Sequence, residues 1–195
     1  MPIRIERLGF SYADYVVFAD LTATLTPGLS LVTGAESCGK STLLKLLARR
    51  LKPQSGVITG DDYSVYWADA QSDAFDQIST LEYFASLEQN FPLFDQPLAS
   101  TIAIALGLEP HLNKPLYMLS TGSKRKVWIA AGFASTAQLT LIDEPYAALD
   151  GPSSRAVTEL LLAASQHKTR MCLIADYQAP DANTGIRLAS VIQLD

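Results

Sequence analysis

One nine-residue stretch, GAESCGKST at 34–42, constrains the fold of this chain more than any other feature of its sequence. Two glycines, Gly34 and Gly39, enclose four residues and are followed at once by Lys40 and Ser41. The apolar run LSLVTG leads into the stretch, and leucines at helical spacing follow it in STLLKLLARRL. A buried strand that runs through a glycine-rich turn into a helix is the unit from which parallel α/β sheets are built.

The same stretch has the composition of a loop that binds the phosphate chain of a nucleotide. Backbone N–H groups curled into a nest and the positive end of the following helix attract phosphate oxygens. Lys40 is expected to reach the β- and γ-phosphates of ATP, and the Ser41 hydroxyl is expected to bind Mg²⁺. The alternative is a structural glycine turn before an amphipathic helix. The residues predicted to surround the phosphates are Gly34, Ala35, Glu36, Ser37, Cys38, Gly39, Lys40, Ser41 and Thr42.

Two acids close a second apolar run, LTLIDEP at 139–145. Taken alone, such a pair favours a solvated strand end. With a phosphate loop upstream, Asp143 is expected to hold Mg²⁺, and Glu144 is expected to orient or deprotonate a water that attacks the γ-phosphate. The pair therefore predicts a catalytic site that hydrolyses nucleotide.

Strands and helices alternate along much of the chain, which predicts a mainly parallel α/β sheet. The N-terminal segments IRIERLGFSY and TATLTPGLSLVTG alternate apolar and polar residues and predict further strands, and so do MCLI and ASVIQL. The segments STLEYFASLEQ and STIAIALGL predict helices. We predict a single domain over 1–195, with a nucleotide-binding core of 1–71 and 129–195 and an inserted helical subdomain of 72–128.

Composition disfavours several classes of function. The chain has 15 basic and 20 acidic residues, a net charge of -5, and no long basic run, so no nucleic-acid partner is expected. Its two cysteines lie far apart, which favours a reducing cytosol over a disulfide framework. The N-terminus lacks the apolar core of a signal peptide, and the most apolar stretch, 127–142, is too short and hydroxyl-rich to span a membrane. We therefore expect a cytoplasmic protein that meets the membrane only through another chain.

The stretch LSTGSKRKV at 119–127 resembles the LSGGQ signature of the ATP-binding cassette (ABC) ATPase family, and the resemblance covers nearly the whole chain. Ser120 and Gly122 match, while Thr121 replaces the first glycine and Ser123 replaces the glutamine. From the residues alone, the stretch is a serine N-cap that opens a basic helix. The resemblance implies a P-loop NTPase (RecA-like) core with a mainly parallel sheet, an N-terminal antiparallel β portion and an inserted α-helical subdomain.

Other stretches resemble family elements in the expected order. Tyr12 matches the aromatic residue that stacks on adenine, although an ordinary strand tyrosine is the alternative. Gln71 in WADAQSDAF matches the catalytic-site glutamine that contacts Mg²⁺, and Asp150 in AALD matches the D-loop at the dimer interface. In the family, the helix N-terminus carrying Ser120 and Gly122 faces the γ-phosphate bound by the opposite subunit. The resemblance thus implies a head-to-tail dimer with a second ABC cassette.

The clearest departure concerns the switch histidine that contacts the γ-phosphate in the family. Aligning the apolar run MCLI places Tyr177 at that position, and a shift of one residue places Asp176 there. A tyrosine hydroxyl can hydrogen-bond a phosphate oxygen but adds no positive charge at neutral pH, and an aspartate repels phosphate. Glu36 stands where Asn or Ser is common, and Ser37 stands where glycine is usual.

The leading interpretation is an ATP-binding subunit of an ABC transporter, which hydrolyses MgATP to drive a transmembrane permease from the inner face of the membrane. The signature with one glycine and the aromatic residue in DEPY resemble the small cassettes of the cytochrome c-maturation haem exporter type. A second interpretation is a regulatory or catalytically impaired half of an asymmetric cassette dimer, because the switch histidine is absent. A third is an ABC protein of DNA repair or translation, which the acidic balance disfavours.

Overall fold

The computed structural model describes residues 2–60, 62–68 and 73–194. Its strands in chain order are β1 (Ile3–Tyr12), β2 (Tyr15–Leu25), β3 (Gly28–Thr33), β4 (Ser55–Thr59), β5 (Val65–Trp67), β6 (Leu139–Asp143), β7 (Met171–Ala175) and β8 (Leu188–Gln193). Its α-helices are α1 (Lys40–Leu47), α2 (Thr80–Leu87), α3 (Gln96–Ala105), α4 (Thr121–Ala134) and α5 (Gly151–Ser165).

The described residues form two compact units. The core unit comprises those of Met1–Trp67, Gln138–Glu144 and Leu161–Asp195, and the helical unit comprises those of Ala68–Ala137 and Pro145–Leu160. Helix α5 therefore begins in the helical unit and ends in the core unit. The functional division at 72–128 stays a prediction.

A five-stranded parallel sheet in the order β5-β6-β7-β3-β8 carries the core unit. Strands β3, β6 and β7 are almost wholly buried, as expected of strands covered on both faces, which is why they appear in the sequence as continuous apolar runs. Val32 of β3 and Asp143 of β6 both pair with Ala175 of β7. The carboxyl ends of these strands therefore lie side by side, and the segments that follow them meet at one edge of the sheet.

The expected N-terminal antiparallel portion is present as a second sheet in the order β2-β1-β4. Strands β1 and β2 form a hairpin in which Tyr12 pairs with Tyr15 at the turn. One hydrophobic cluster joins this sheet to α1 and to the parallel strands, and Ile5, Leu44 and Leu173 in it are fully buried. Full burial of a side chain of this size contributes about 1.5–3 kcal/mol, so this cluster holds α1 and the loop before it against the sheet.

The helices of the helical unit begin at side-chain caps. Helix α2 has a capping box, in which the Ser79 Oγ accepts from the Glu82 N–H at 3.2 Å and Glu82 Oε2 accepts from the Ser79 N–H at 2.7 Å. Asp95 caps α3 by accepting from the N–H of Leu98 at 2.8 Å. The two helices expected from the sequence in this region are thus present, and each begins where its cap satisfies free backbone N–H groups.

Candidate nucleotide-binding site

The loop between β3 and α1 is built on left-handed backbone. The φ angles of Gly34, Ser37 and Gly39 are 151°, 61° and 103°. A Cβ at Gly34 would overlap the carbonyl oxygen of Leu194, so the close approach of two backbones excludes a side chain there. Ser37 adopts a left-handed conformation although it has a side chain, at a cost of about 1–2 kcal/mol. A glycine at this position would avoid that cost.

Gly39 joins the loop to the N-terminal hairpin. A Cβ at Gly39 would overlap the side chains of Val17 and Phe18 on β2. The hairpin therefore packs directly on the start of α1. Tyr12 lies at the turn of the same hairpin, 45% exposed, with its ring edge-on to Phe10 at 4.9 Å between centroids. Because this hairpin packs on the start of α1, the exposed Tyr12 ring is a candidate for stacking on a base.

Lys40 is the first residue of α1, and its side chain turns back over the loop. Its Nζ donates to the carbonyl oxygens of Gly34 at 2.9 Å and Ala35 at 2.7 Å. The residue is only 7% exposed, and its Nζ lies 4.1 Å from the centroid of the Tyr177 ring. Cys38 Sγ lies 3.9 Å from the same nitrogen. The ammonium group is thus desolvated and held in the mouth of the loop.

Ser41 and Asp143 meet across the end of the sheet. The Ser41 Oγ donates to Asp143 Oδ2 at 2.6 Å. Ser41 is exposed in the first turn of α1, next to the buried Thr42, and Asp143 is the last residue of β6. A hydroxyl and a carboxylate that converge beside a phosphate loop are hard oxygen ligands of the kind that Mg²⁺ prefers. Two of the three residues predicted to bind metal, Ser41 and Asp143, are thus in direct contact although they are far apart in the sequence.

Glu144 leaves strand β6 through a left-handed turn, with φ of 48°. Its N–H donates to the Ala175 carbonyl at 2.8 Å, which extends the β6–β7 pairing by one residue. Such a strained conformation in a non-glycine residue costs energy and often marks a functional position. Gln71, the other residue predicted to act in hydrolysis, lies outside the described residues.

Tyr177, and not Asp176, presents its side chain to the lysine. The Asp176 N–H donates to the Val32 carbonyl at 3.0 Å, and Asp176 Oδ1 accepts from the N–H of Tyr177 at 2.7 Å. The carboxylate of Asp176 is therefore engaged with backbone, while the Tyr177 ring covers Lys40. This geometry favours Tyr177 as the residue at the position of the switch histidine.

The surroundings of Tyr177 are acidic. Partial desolvation, and then the negative charges of Glu36, Glu144 and Asp143, raise the pKa of Tyr177 above its ordinary value. The hydroxyl is therefore neutral at physiological pH. Glu36 is exposed, so its carboxylate is solvated while it adds negative charge beside the loop. The side chains that act on Tyr177 thus contribute several negative charges, while the Tyr177 ring itself covers Lys40.

In the helical unit, the signature stretch begins helix α4. The Ser120 Oγ accepts from the Ser123 N–H at 3.1 Å and donates to the Ser123 Oγ at 3.0 Å, which confirms the predicted N-cap. A Cβ at Gly122 would overlap the carbonyl oxygen of Ala148. Only glycine fits where the D-loop backbone crosses the first turn of α4, which gives a packing reason for Gly122.

Basic residues after the signature tie α4 to the D-loop. Arg125 Nη1 donates to the carbonyl of Ala147 at 2.5 Å, and Lys126 Nζ donates to Asp150 Oδ2 at 2.7 Å. Asp150 Oδ1 accepts from the N–H of Ser153 at 2.8 Å, so the same carboxylate caps α5. The hydrogen bond from Lys126, followed by those from Ser153, holds the pKa of Asp150 well below its usual range.

The sequence does not predict the roles of two of these residues, Lys126 and Ser153. Lys126 belongs to the basic run that follows the signature, but nothing local assigns it a partner. Ser153 follows an Asp-Gly-Pro sequence, in which Asp is a preferred N-cap and Pro is favoured in the first turn. That pattern is the signal from which helix α5 could have been found.

A protein-family model described as ABC transporter matches residues 18–147, well over half of the chain. The chain is 24% identical over 210 residues to the petrobactin import ATP-binding protein FpuD of Bacillus anthracis, a match that covers 97% of this chain and 76% of that protein. It is 29% identical over 200 residues to the taurine import ATP-binding protein TauB of Escherichia coli O157:H7, with 92% and 75% covered.

A solved structure of an ABC transporter ATP-binding protein from Pyrococcus furiosus matches the fold with a TM-score of 0.80. The match has 20% sequence identity and covers 100% of this chain and 98% of that one, so it confirms the expected P-loop NTPase fold. Among the described residues, none of the helices has the length and apolar character needed to cross a membrane. Members of the matched family hydrolyse ATP. Because the family model matches from strand β2 to beyond the acid pair, this chain belongs to the ABC transporter family, as an ATP-binding subunit.

Proposed function

We propose that this chain binds and hydrolyses MgATP at the loop described above and so drives a transmembrane permease. The observation that carries the proposal is the contact at 2.6 Å between the Ser41 hydroxyl and Asp143 beside the lysine-bearing loop. In this proposal Ser41, Asp143 and Gln71 hold Mg²⁺, which would neutralise phosphate charge at the site. Glu144 orients or deprotonates the attacking water.

The other proposed site residues of the core unit bind and orient the nucleotide. Backbone N–H groups of the loop and the N-terminus of α1 attract the phosphate chain, and Lys40 contributes the positive charge. Tyr12 stacks on the adenine from the turn of the N-terminal hairpin. Tyr177 stands at the position of the switch histidine, beside Lys40.

A second cassette completes each site in this proposal. The N-terminus of α4, with Ser120 and Gly122, faces the γ-phosphate bound by the opposite subunit, because a capped helix N-terminus attracts anions. Asp150 lies across the same interface. The arrangement is a head-to-tail dimer, formed either by two copies of this chain or with a related cassette.

The membrane partner is inferred from the relatives. FpuD and TauB are named as import ATP-binding proteins, so we propose that the permease belongs to an import system and that this chain works on the cytoplasmic face of the membrane. The alternative resemblance to cytochrome c-maturation haem exporters stays a prediction, and the neighbouring reading frame distinguishes the two. An importer permease encoded beside this chain supports the proposal, and haem-export components contradict the import assignment.

Substitution of the loop lysine tests nucleotide binding. Lys40→Ala is expected to weaken the affinity for MgATP by at least about tenfold, because a charge-assisted contact to phosphate is lost. Titration calorimetry measures the affinity, and Lys45→Ala on the same helix is the matched control. Because Lys40 also donates to loop carbonyls, its removal could disturb the loop itself. Lys40→Arg, which keeps a charged donor at this position, is therefore measured beside Lys40→Ala. Unchanged affinity in a folded Lys40→Ala protein contradicts the loop assignment.

The second candidate is a cassette that binds nucleotide but hydrolyses it poorly. Tyr177 at the histidine position and Glu36 in the loop favour it, since neither supplies the positive charge of a protonated histidine. Comparison of wild type with Glu144→Gln separates the candidates. A large loss of ATP turnover and a stable ATP-bound dimer in the variant support hydrolysis by this chain. Equal, negligible turnover in both proteins supports the impaired half of an asymmetric pair.

A further inference from the structure

Tyr177 is held next to the phosphate loop by the sheet itself. Strands β3 and β7 run parallel with Val32 paired to Ala175, so Gly34 and Tyr177 each lie two residues beyond paired positions. The Thr33 Oγ1 donates to the Tyr177 carbonyl at 3.0 Å, which joins the two departing segments. On the other side, the Tyr177 N–H donates to Asp176 Oδ1 at 2.7 Å. The backbone of Tyr177 is thus anchored on both sides, and its ring has a defined place.

That place is over the ammonium group of Lys40. An ammonium group has three N–H donors and no acceptor. Two carbonyl oxygens of the loop, those of Gly34 and Ala35, accept from Lys40 at 2.9 Å and 2.7 Å, and Cys38 Sγ lies 3.9 Å away as a weaker partner. The Tyr177 ring centroid lies 4.1 Å from the same nitrogen. Because Lys40 is buried, water competes weakly for the remaining direction, and a cation over a ring face is favourable there.

A phosphate oxygen that binds this lysine must replace one of these partners. The two carbonyls and the Cys38 sulfur belong to the loop itself, whereas the ring belongs to a separate segment and is 48% exposed, so solvent is available to it on the outer side. The hydroxyl of Tyr177 gives no charge in return, since desolvation and then nearby acids raise its pKa and keep it neutral. The ring is therefore the partner that a phosphate chain displaces most easily, and its cation–π contact is lost in that exchange.

We propose that the Tyr177 ring competes with nucleotide phosphate for Lys40 and thereby lowers the affinity of this site for nucleotides whose phosphate chain reaches that lysine. The inference rests on the proposed role of Lys40 in ATP binding. It makes Tyr177 a specificity-determining residue that acts through its ring face, in contrast to a phosphate ligand that acts through its hydroxyl.

Three variants and three nucleotides test the inference by titration calorimetry. Tyr177→Ala removes the ring and is expected to tighten MgATP and MgADP binding by at least about two- to fivefold, because that is the size of an exposed cation–π contact and this lysine is buried. Tyr177→Phe keeps the ring face and is expected to bind ATP within about twofold of wild type. AMP is expected to bind all proteins alike, because its phosphate does not reach Lys40. Tyr117→Ala, which removes an exposed tyrosine in the helical unit, is the matched control.

The anchor of Tyr177 provides a second, milder test. Thr33→Val removes the hydrogen bond to the Tyr177 carbonyl and is expected to raise ATP affinity by less than Tyr177→Ala does. In the Tyr177→Ala background the same change is expected to have no effect, which shows that both act through one contact. If Thr33 acts only on the structure of the loop, Thr33→Val should change ATP affinity similarly in wild type and in Tyr177→Ala. That result would contradict the inference that both residues act through the contact with Lys40.

The outcomes separate this inference from the proposed function. Absence of ATP binding in wild type contradicts the proposed function itself. Normal ATP binding that is unchanged or weakened in Tyr177→Ala overturns the inference alone. Weaker ATP binding in both Tyr177→Phe and Tyr177→Ala also overturns it, and assigns the hydroxyl a direct contact with phosphate.

Discussion

Lys126 Nζ and Asp150 Oδ2 lie 2.7 Å apart, and this pair ties the signature helix α4 to the D-loop within the helical unit. Lys126 is 11% exposed and Asp150 is 55% exposed, so the lysine is fixed by packing while the carboxylate is accessible on one side. The other oxygen of Asp150 caps α5 through the N–H of Ser153. One side chain therefore sets both where α5 begins and where the D-loop sits against α4.

Replacement of Asp150 separates its two contacts. Asn caps helices about as well as Asp, so Asp150→Asn keeps the cap and loses only the ion pair, whereas Asp150→Ala loses both. We expect Asp150→Ala to lower the urea midpoint clearly and Asp150→Asn to lower it less, with reduced ATP turnover in both. Equal midpoints for wild type and Asp150→Ala would contradict the capping role.

The ion pair also predicts a dependence on pH. Because the pKa of Asp150 is lowered in the folded protein, its contribution to stability is present above the ordinary aspartate pKa of about 3.9 and is lost as pH falls toward the folded value. The stability difference between wild type and Asp150→Asn should therefore be present at pH 6 and shrink below about pH 4. Urea unfolding at several pH values measures it. High salt should reduce this stability difference, because Asp150 is exposed. A stability difference that grows as the pH falls would contradict the stabilising role of this ion pair.

Gly122→Ala tests the close approach of the D-loop to α4. Alanine has a better helix propensity than glycine, yet its Cβ would overlap the Ala148 carbonyl oxygen. We expect a net loss of about 1–3 kcal/mol in the free energy of unfolding, the usual cost of overpacking. Thr121→Ala at the neighbouring exposed position is the control. A stabilised Gly122→Ala protein would contradict this prediction and show that the D-loop shifts to make room for the added Cβ.

The magnesium site predicts a coupled loss. Ser41→Ala removes the hydroxyl and Asp143→Asn removes the negative charge of the carboxylate in a pair that meets at 2.6 Å. We expect each variant to lose most of the increase in ATP affinity that Mg²⁺ provides, and the double variant to lose little more, because both act on one site. The measurement is ATP affinity with and without Mg²⁺. Fully additive losses would indicate that the two side chains act separately.

The two cysteines should differ in reactivity. Burial raises the pKa of Cys172 to about 12, so its thiol stays protonated and inert in the folded protein. Cys38 is half-buried in the loop and accessible. We expect a thiol reagent to label one cysteine in native protein and two in urea. Because the folded pKa is raised, the stability contribution of Cys172 is complete below about pH 9 and declines at higher pH. Rapid labelling of both thiols without urea contradicts this burial.

The sequence alone determined the loop, the strands beside it and the fold class. Continuous apolar runs predict β3, β6 and β7 because strands buried on both faces have no polar side, and a glycine loop before a leucine-rich stretch predicts α1. These signals are local, and the resemblance to ABC ATPases supplied the signature and the D-loop. Strands β4 and β5 and helix α5 were not predicted. Strand β4 is mostly exposed, β5 has only three residues and is too short to show a period, and the signal for α5 is its Asp-Gly-Pro start and not a periodic pattern.

Tertiary structure alone decided which distant side chains touch. The order β5-β6-β7-β3-β8 puts Asp143 beside Ser41 and Tyr177 above Lys40, although each pair is far apart in the chain. The choice of Tyr177 over Asp176 likewise depends on the folded chain, because the Asp176 carboxylate accepts from the Tyr177 N–H while the Tyr177 ring covers Lys40. Periodicity reports which face of an element is buried and carries no information about its neighbour, so these contacts had to be read from the folded chain.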